Sequence, residues 1–556
     1  MLTDHWFIPL MLTLALLPAA LMLLCAALAW RLGNRMPAGW PLLKGISLVA
    51  TVVAALSLLL QWWSGSAETS ASSQPLLPGL CISLSAAWVG LLVQALGTVI
   101  ISFSARYLQG ESRQARYAAA LCGVLTAVHL LLLADHWALL IAAWAGVGLA
   151  LHPLLCCYED RPFAALAAHK KFLADRLADL LLIAAAVLAV QSTGSGTIST
   201  LLAQVQTHGA DVKLQWCAVL LALAVAIRTA LLPLHGWLIQ VMEAPTPVSA
   251  LLHAGVVNLG GMVLIHFAPL LAQVPVARYL LLVLGLLSTA LAGFVMLTRI
   301  SIKVRLAWST LAQMGFMLLE CAVGLHQLAL LHLLGHSLYK AHTFLSAGNA
   351  VEQAGLRDLQ GTSVPRVWSL LLAPLLCGAV LSAVNWSPSL MAGFVTNMHG
   401  TESVWPWWWT VVLALAWAPM LWLRNTQNSQ LGGQQLFHLL TGLLLATLLS
   451  LLALLAHALP LGVVSTPHEP DGMIVIVIMS LIYLGTALLQ LPAWRARLEP
   501  LRRQSYAGFY LDEAITRLTL WLWPVRLPPA SRRDGSHVSP QAMAQPLAAQ
   551  PTLIRN

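Results

Sequence analysis

Residues 332–340 read His-Leu-Leu-Gly-His-Ser-Leu-Tyr-Lys, which sets His332, His336 and Lys340 four residues apart in an otherwise apolar stretch. Residues at i, i+4 and i+8 share one helix face. Imidazoles exchange protons near neutral pH through either ring nitrogen, and an ammonium taken out of water releases its proton more readily. A charge at the bilayer centre costs at least about 2.5 to 3.5 kcal/mol on insertion scales. A stacked file of such groups inside a span therefore points to a path for a proton or another small cation.

The elements that must hold this file are membrane helices. Of the 556 residues, 59% are hydrophobic and only 9% are charged, with mean hydropathy +0.80, against roughly 25% charged in a soluble domain. Runs at 10–28, 407–423 and 474–491 are long enough to cross the hydrocarbon. The reading is an all-α polytopic membrane protein of about fifteen transmembrane helices. No basic residue precedes Arg31, so the first apolar run is expected to stay as a span rather than be cleaved. The eight cysteines fall in apolar stretches without paired spacing and read as small hydrophobes.

The basic residues concentrate on one set of alternate loops: Arg31 to Lys44, Arg106 to Arg116, Arg161 to Lys171, Arg299 to Arg305, Arg357, Arg366 and Arg424. Only Lys213 and Arg278 fall on the other set, and nine more follow from Arg495 onward. The positive-inside rule then predicts a multi-pass membrane protein, N-terminus outside and C-terminus cytoplasmic. The net charge of +9 is a topology signal and an attraction to anionic lipid, with no nucleic-acid face. Span spacing divides the chain into helices one to three (1–117), two inverted five-helix repeats (118–275 and 276–424) and helices fourteen and fifteen (425–492). A cytoplasmic amphipathic segment (493–523), suited to lying on the membrane or docking a partner, precedes a tail (524–556) whose composition predicts disorder.

The most specific stretch is Arg228-Thr-Ala-Leu-Leu-Pro233-Leu-His235-Gly-Trp237, followed by Met242-Glu243-Ala-Pro245-Thr-Pro247-Val-Ser-Ala-Leu-Leu-His253. Prolines at membrane depth break helices and free backbone groups that protein, water or an ion must satisfy. With Trp144-Ala-Gly-Val-Gly148, Lys171-Phe-Leu-Ala-Asp-Arg176-Leu-Ala-Asp179, Ile302-Lys303-Val-Arg305 and the histidine file, the pattern covers residues 137–352. It resembles the antiporter-like subunits shared by respiratory complex I, Mrp-type cation antiporters, membrane hydrogenases and related carbon-uptake systems. Gly508-Phe-Tyr-Leu-Asp512-Glu513 is similar to a cytoplasmic motif of the large L-type subunit. The resemblance implies an ion path through Asp179 with Arg176, then Arg228, His253, His332, His336 and Lys340. Glu243, beside the prolines, fits ion entry as well as a turn-capping role.

Three departures stand out. Ala145 occupies a position usually held by Glu, Arg228 one usually held by Lys, and the later broken-helix motif, Leu381-Ser-Ala-Val-Asn385-Trp-Ser387-Pro388, keeps no ionisable group. A guanidinium supplies fixed charge but carries no proton at physiological pH. A Glu/Lys switch is therefore not expected, and Lys340 becomes the principal exchange group. No stretch after Trp523 is suited to a long transverse helix. These features look more like the membrane subunit of DAB-type inorganic-carbon accumulation systems. That likeness implies a non-enzymatic, proton- or Na⁺-conducting subunit without a cofactor of its own. Zinc is then expected in a DabA-like, carbonic-anhydrase-like partner on the cytoplasmic side. An L-type subunit of NADH-quinone oxidoreductase, a Mrp-like cation/proton antiporter and a non-conducting scaffold are the competing readings.

Simpler roles compete residue by residue. Asp179, three residues after Arg176, fits a structural ion pair as well as a relay member. His129 and His152 stand alone and read as packing groups, Glu320 near a span end as interfacial, and the Trp405 to Trp409 cluster as an interfacial belt.

Overall fold

Apolar side chains fill most of the chain, and the computed structural model folds most of the described residues into helices. It describes residues 4–65, 74–77, 79–158, 161–349, 365–385, 405–423, 432–491, 494 and 497–524. Arg357, Arg424, Arg495, the Trp386-Ser-Pro388 half of the later broken-helix motif and the tail from residue 525 lie outside the described residues.

The order is α1 (Asp4–Leu32), α2 (Met36–Gly65), β1 (Gln74–Leu77), β2 (Leu80–Ile82), α3 (Leu84–Tyr107), α4 (Gln114–Leu132), α5 (Trp137–Leu155), α6 (Pro162–Thr193), α7 (Ile198–His208) and α8 (Val212–Arg228). A broken region follows: α9 (Gly236–Gln240), α10 (Thr246–Leu251), a π-helical turn (Leu252–Val256), α11 (Leu259–His266) and α12 (Ala268–Gln273). Then come α13 (Pro275–Thr298), α14 (Ile302–Ala322), α15 (His326–Leu345), α16 (Val367–Asn385), α17 (Trp407–Trp417), α18 (Gly432–His457) and α19 (Glu469–Gln490). Two short helices, α20 (Glu499–Tyr506) and α21 (Leu511–Leu522), close the described chain.

The protein is an all-helical membrane protein but for one small hairpin. Strands β1 and β2 pair antiparallel across Gly79, whose φ of +90° suits the turn. Cys81 N donates to Leu133 O at 2.9 Å, which ties the hairpin to the α4–α5 connection. Segments this short carry no period that a sequence reading can distinguish from loop. Among the described residues, nine stretches are long and apolar enough to cross a membrane, the broken region Thr246–His266 included. Helices α6, α8, α14 and α15, which hold most of the charged and histidine candidates, are not among those nine. On α18, Leu436, Leu440, Leu444, Leu448 and Leu452 are all exposed at four-residue spacing, one unbroken apolar stripe suited to lipid.

The break after α8 has identifiable causes. Ala230 takes a left-handed φ of +57°, Pro233 has no amide hydrogen to donate, and the freed Leu232 N donates to Ser288 Oγ at 3.2 Å on α13. Pro247 sits in the first turn of α10, where proline is tolerated. Helices α13 and α14 pack most closely. A Cβ at Gly285 would sit 2.6 Å from Gly315 O, and one at Gly315 the same distance from Gly285 O. Small residues allow this backbone approach, and Thr289 Oγ1 adds a bond to Ala312 O at 3.1 Å.

Candidate functional site

Helix α15 carries the histidine file on one face, and the turn before it supplies an acid. Helices α14 and α15 form a hairpin about Gly324, whose φ of +82° lets the chain reverse. Glu320 stands in the last turn of α14 and His332 in the second turn of α15, and His332 Nδ1 meets Glu320 Oε2 at 2.8 Å across the hairpin. Glu320 is 3% exposed, so it is a buried partner of His332 rather than an interfacial group. The His332 and His336 rings stand 5.9 Å apart, edge to face. Lys340, 1% exposed, donates from Nζ to Leu306 O at 3.0 Å and to Ser309 Oγ, both on α14. It has no carboxylate among its described partners.

His253 enters from the π-helical turn, where one extra residue widens the helix, a feature frequent at functional sites. Its ring stacks on Phe344 of α15 at 4.6 Å, and it lies within electrostatic reach of Lys340. His336 lies within electrostatic reach of His253 and Lys340. Among the described residues, both ring nitrogens of His253 and Nε2 of His336 are buried without a hydrogen-bond partner. Buried polar groups are ordinarily satisfied by protein or water, so these nitrogens stand open to a water or cation partner.

The tryptophans expected at an interface belong partly to this site. Trp405, Trp408 and Trp409 are at most 2% exposed because they turn inward, Trp408 against Gly472 and Trp409 against Phe316 at 5.4 Å. Phe316 in turn contacts the His332 ring at 6.0 Å. They form an aromatic wall beside the file.

Helix α6 builds a second file of opposite character. Lys171 Nζ bonds both oxygens of Asp175, at 2.6 and 2.5 Å. Arg228 at the end of α8 lies 3.9 Å from Asp175, donates to Asp179, and gives Nη1 to Trp144 O at 2.7 Å. Its guanidinium also sits 5.0 Å from the Trp144 ring centroid. Arg176 closes the set on Asp179 at 2.8 Å. Gly148 of α5 makes the space, since a Cβ there would lie 2.4 Å from an Asp175 oxygen. Thus Arg228 is a paired fixed charge. The acid absent at Ala145 is matched by two acids on α6.

Residue type and spacing place Lys171 with the basic loop residues and do not single out Lys171 or Asp175 as site residues, whereas both lie well inside α6. The signal was present: Lys171, Asp175 and Asp179 repeat the i, i+4, i+8 spacing of the α15 file. The broken region lies between the two files, α10 against α15 and α11 against both α8 and α15. Glu243 is not brought to either. Its side chain is 48% exposed and pairs with Arg161 at 3.5 Å, with Arg161 Nη1 also donating to Glu243 O at 2.9 Å. His129 Nε2 donates to Gln94 Oε1 at 3.0 Å, as a packing histidine does. The segment after α19 neither stands free nor lies apart. It folds back on the chain, with Asp512 bonded to Lys170. Among the described residues, no group of three or more His, Cys, Asp or Glu is placed to hold a metal ion.

Comparison with known proteins places this geometry in context. Residues 134–421 match the family described as NADH:quinone oxidoreductase/Mrp antiporter, transmembrane. The chain is 36% identical to the probable inorganic carbon transporter subunit DabB of Hydrogenovibrio crunogenus, over 92% of this chain and 95% of that one. It is 32% identical to the corresponding DabB of Bacillus subtilis, over 52% of this chain and 57% of that one. Against NADH-quinone oxidoreductase subunit L of Escherichia coli the identity is 30%, over 64% and 57%. A chain of the Mrp complex from Dietzia sp. shares the fold, with TM-score 0.57 at 22% identity, over 90% of this chain and 60% of that chain.

Proposed function

Because the chain belongs to the NADH:quinone oxidoreductase/Mrp antiporter transmembrane family, we propose that it is the proton- or Na⁺-conducting membrane subunit of an energy-coupled inorganic-carbon uptake complex. Cation entry through it drives CO₂ hydration in a DabA-like, zinc-dependent partner on the cytoplasmic side. The observation that carries the conducting role is the α15 file. Two imidazoles and one ammonium lie in register, anchored by Glu320 and lined with nitrogens that no described protein atom satisfies. Such groups accept and release a cation without a large rearrangement.

Downhill flow fits better than uphill pumping. The α6 cluster is saturated with counter-charge around a guanidinium that cannot release its proton, so it offers a fixed field rather than a switching pair. The likeness to DabB over nearly its full length supports the carbon-uptake setting over the respiratory one, where the match to subunit L is partial. The membrane helices α1 to α6, α8, the broken region and α13 to α19 support a reading of about fifteen spans with two inverted repeats. The charge asymmetry of the loops supports a cytoplasmic C-terminus for that arrangement.

The test is reconstitution with the partner in vesicles that carry an imposed cation gradient. Dissipating that gradient with a protonophore, or in parallel with a Na⁺ ionophore, is expected to stop carbon accumulation through one arm. Accumulation that continues in both arms overturns the coupling. A neighbouring gene for a respiratory subunit, in place of a large soluble zinc protein, overturns the carbon-uptake setting.

A further inference from the structure

Lys170 and Lys171 are adjacent and both buried on α6, yet the ion-pair cluster answers only one of them. The anion for Lys170 comes from the far end of the chain. Asp512, at the start of α21, accepts from Lys170 Nζ through Oδ1 and from Gln240 Nε2 through Oδ2 at 2.9 Å. Lys170 Nζ also donates to Thr516 Oγ1 at 2.8 Å, one helical turn along α21. The space is shaped for this carboxylate: a Cβ at Gly236 would sit 1.4 Å from Asp512 Oδ1.

His235, next in the chain to the Gly236 that faces both Asp512 and Lys170, is fully buried and within electrostatic reach of the pair. Its Nδ1 meets Pro233 O at 3.2 Å, an acceptor, so the neutral ring keeps its lone pair on Nε2. That Nε2 is buried with no hydrogen-bond partner among the described residues. Further contacts hold the segment in place, His169 Nε2 with Trp523 O at 3.0 Å and the Arg299 guanidinium 5.5 Å from the Tyr506 ring. A buried imidazole with an open acceptor, near a lysine and a carboxylate from the C-terminal segment, has the parts a proton relay needs.

We propose that Asp512 is a positioning residue for the cytoplasmic end of the ion path, holding Lys170 beside His235 so that protons pass between the cytoplasm and the broken region that packs against the α15 file. The proposal rests on the conducting role argued above and deepens it. It makes the C-terminal segment a strap whose seating sets the rate of cation entry. Lifting α21 removes the carboxylate and leaves Lys170 without its anion, which breaks the relay at its first step.

The test uses the assembled complex in proteoliposomes with an entrapped pH-sensitive dye, proton entry being read as a function of cytoplasmic-side pH. Asp512→Asn is expected to lower entry by about tenfold, a factor that corresponds to 1.36 kcal/mol of barrier, and to move the pH profile. Asp512→Glu, and the exchange Lys170→Asp with Asp512→Lys, are expected to restore most of the rate. An assembled Asp512→Asn complex with the parent rate and profile overturns the proposal. If that variant does not assemble, Gln240→Leu, which removes only one donor to Asp512, is read instead, and an unchanged profile overturns it equally. Lys340→Ala is measured alongside. Parent-like entry in that variant counts against conduction itself, whereas a defect there with normal Asp512→Asn entry counts only against the strap.

Discussion

Lys171, Asp175 and Asp179 on α6 repeat the four-residue spacing of His332, His336 and Lys340 on α15, and the two files are satisfied in opposite ways. On α6 every charge meets an opposite charge, and Arg228 and Arg176 arrive from outside the file to complete the set. On α15 the one carboxylate serves His332 alone, Lys340 meets neutral oxygens, and ring nitrogens of His336 and of the neighbouring His253 meet no described partner. Spacing sets which residues share a face, while neighbouring helices decide whether that face is locked or exchangeable. Buried pairs lose heavily when one member goes, whereas groups poised between protonation states are useful because their partners are weak.

The hardest break falls on the α6 side. Asp175→Ala strips Lys171 and Arg228 of an anion, and removing one partner of a buried pair costs about 3 to 5 kcal/mol. Poor assembly and a lowered thermal midpoint of the detergent-solubilised protein are expected. An unchanged midpoint erases the distinction between the files. Lys340→Ala sharpens the contrast from the other side: normal assembly, with cation flux in vesicles reduced by at least about tenfold. Lys340→Arg is expected to fare no better, because a guanidinium holds its proton. Parent-like flux in the arginine variant refutes proton exchange at that position.

Much of this division was legible in the sequence. The α15 file, the proline breaks and the fixed charge at Arg228 follow from residue type and spacing alone. What could not be read was partnership across helices. Glu320 looks interfacial until the α14–α15 hairpin folds it onto His332, and Trp405, Trp408 and Trp409 look like a belt until their helix turns them inward. Lys170 reads as a loop cation because its anion lies 342 residues away. Side-chain periodicity encodes a face, and long-range packing selects what the face meets.

Smaller effects refine the comparison further. Glu320→Gln and His332→Asn are each expected to slow flux, and the double variant to match the slower single one. A coupling of about 0.5 to 3 kcal/mol is the range for contacting residues, and simple additivity of the two defects in a flux cycle dissolves the pair. Glu243→Gln should do least. Its half-exposed pair with Arg161 is of a kind worth about 0 to 1 kcal/mol, so thermal midpoint and flux are both expected to stay near the parent. A large flux loss there restores Glu243 to the ion path.

The backbone contact between Gly285 and Gly315 limits how this machine can move. Two helices touching carbonyl to α-carbon cannot slide past each other without collision, so α13 and α14 travel as one plank. That plank carries Leu306 and Ser309, the groups that receive Lys340. Motion during a transport cycle is therefore displaced to the Lys340 side chain and to the π-helical turn opposite it, against a floor that stays still.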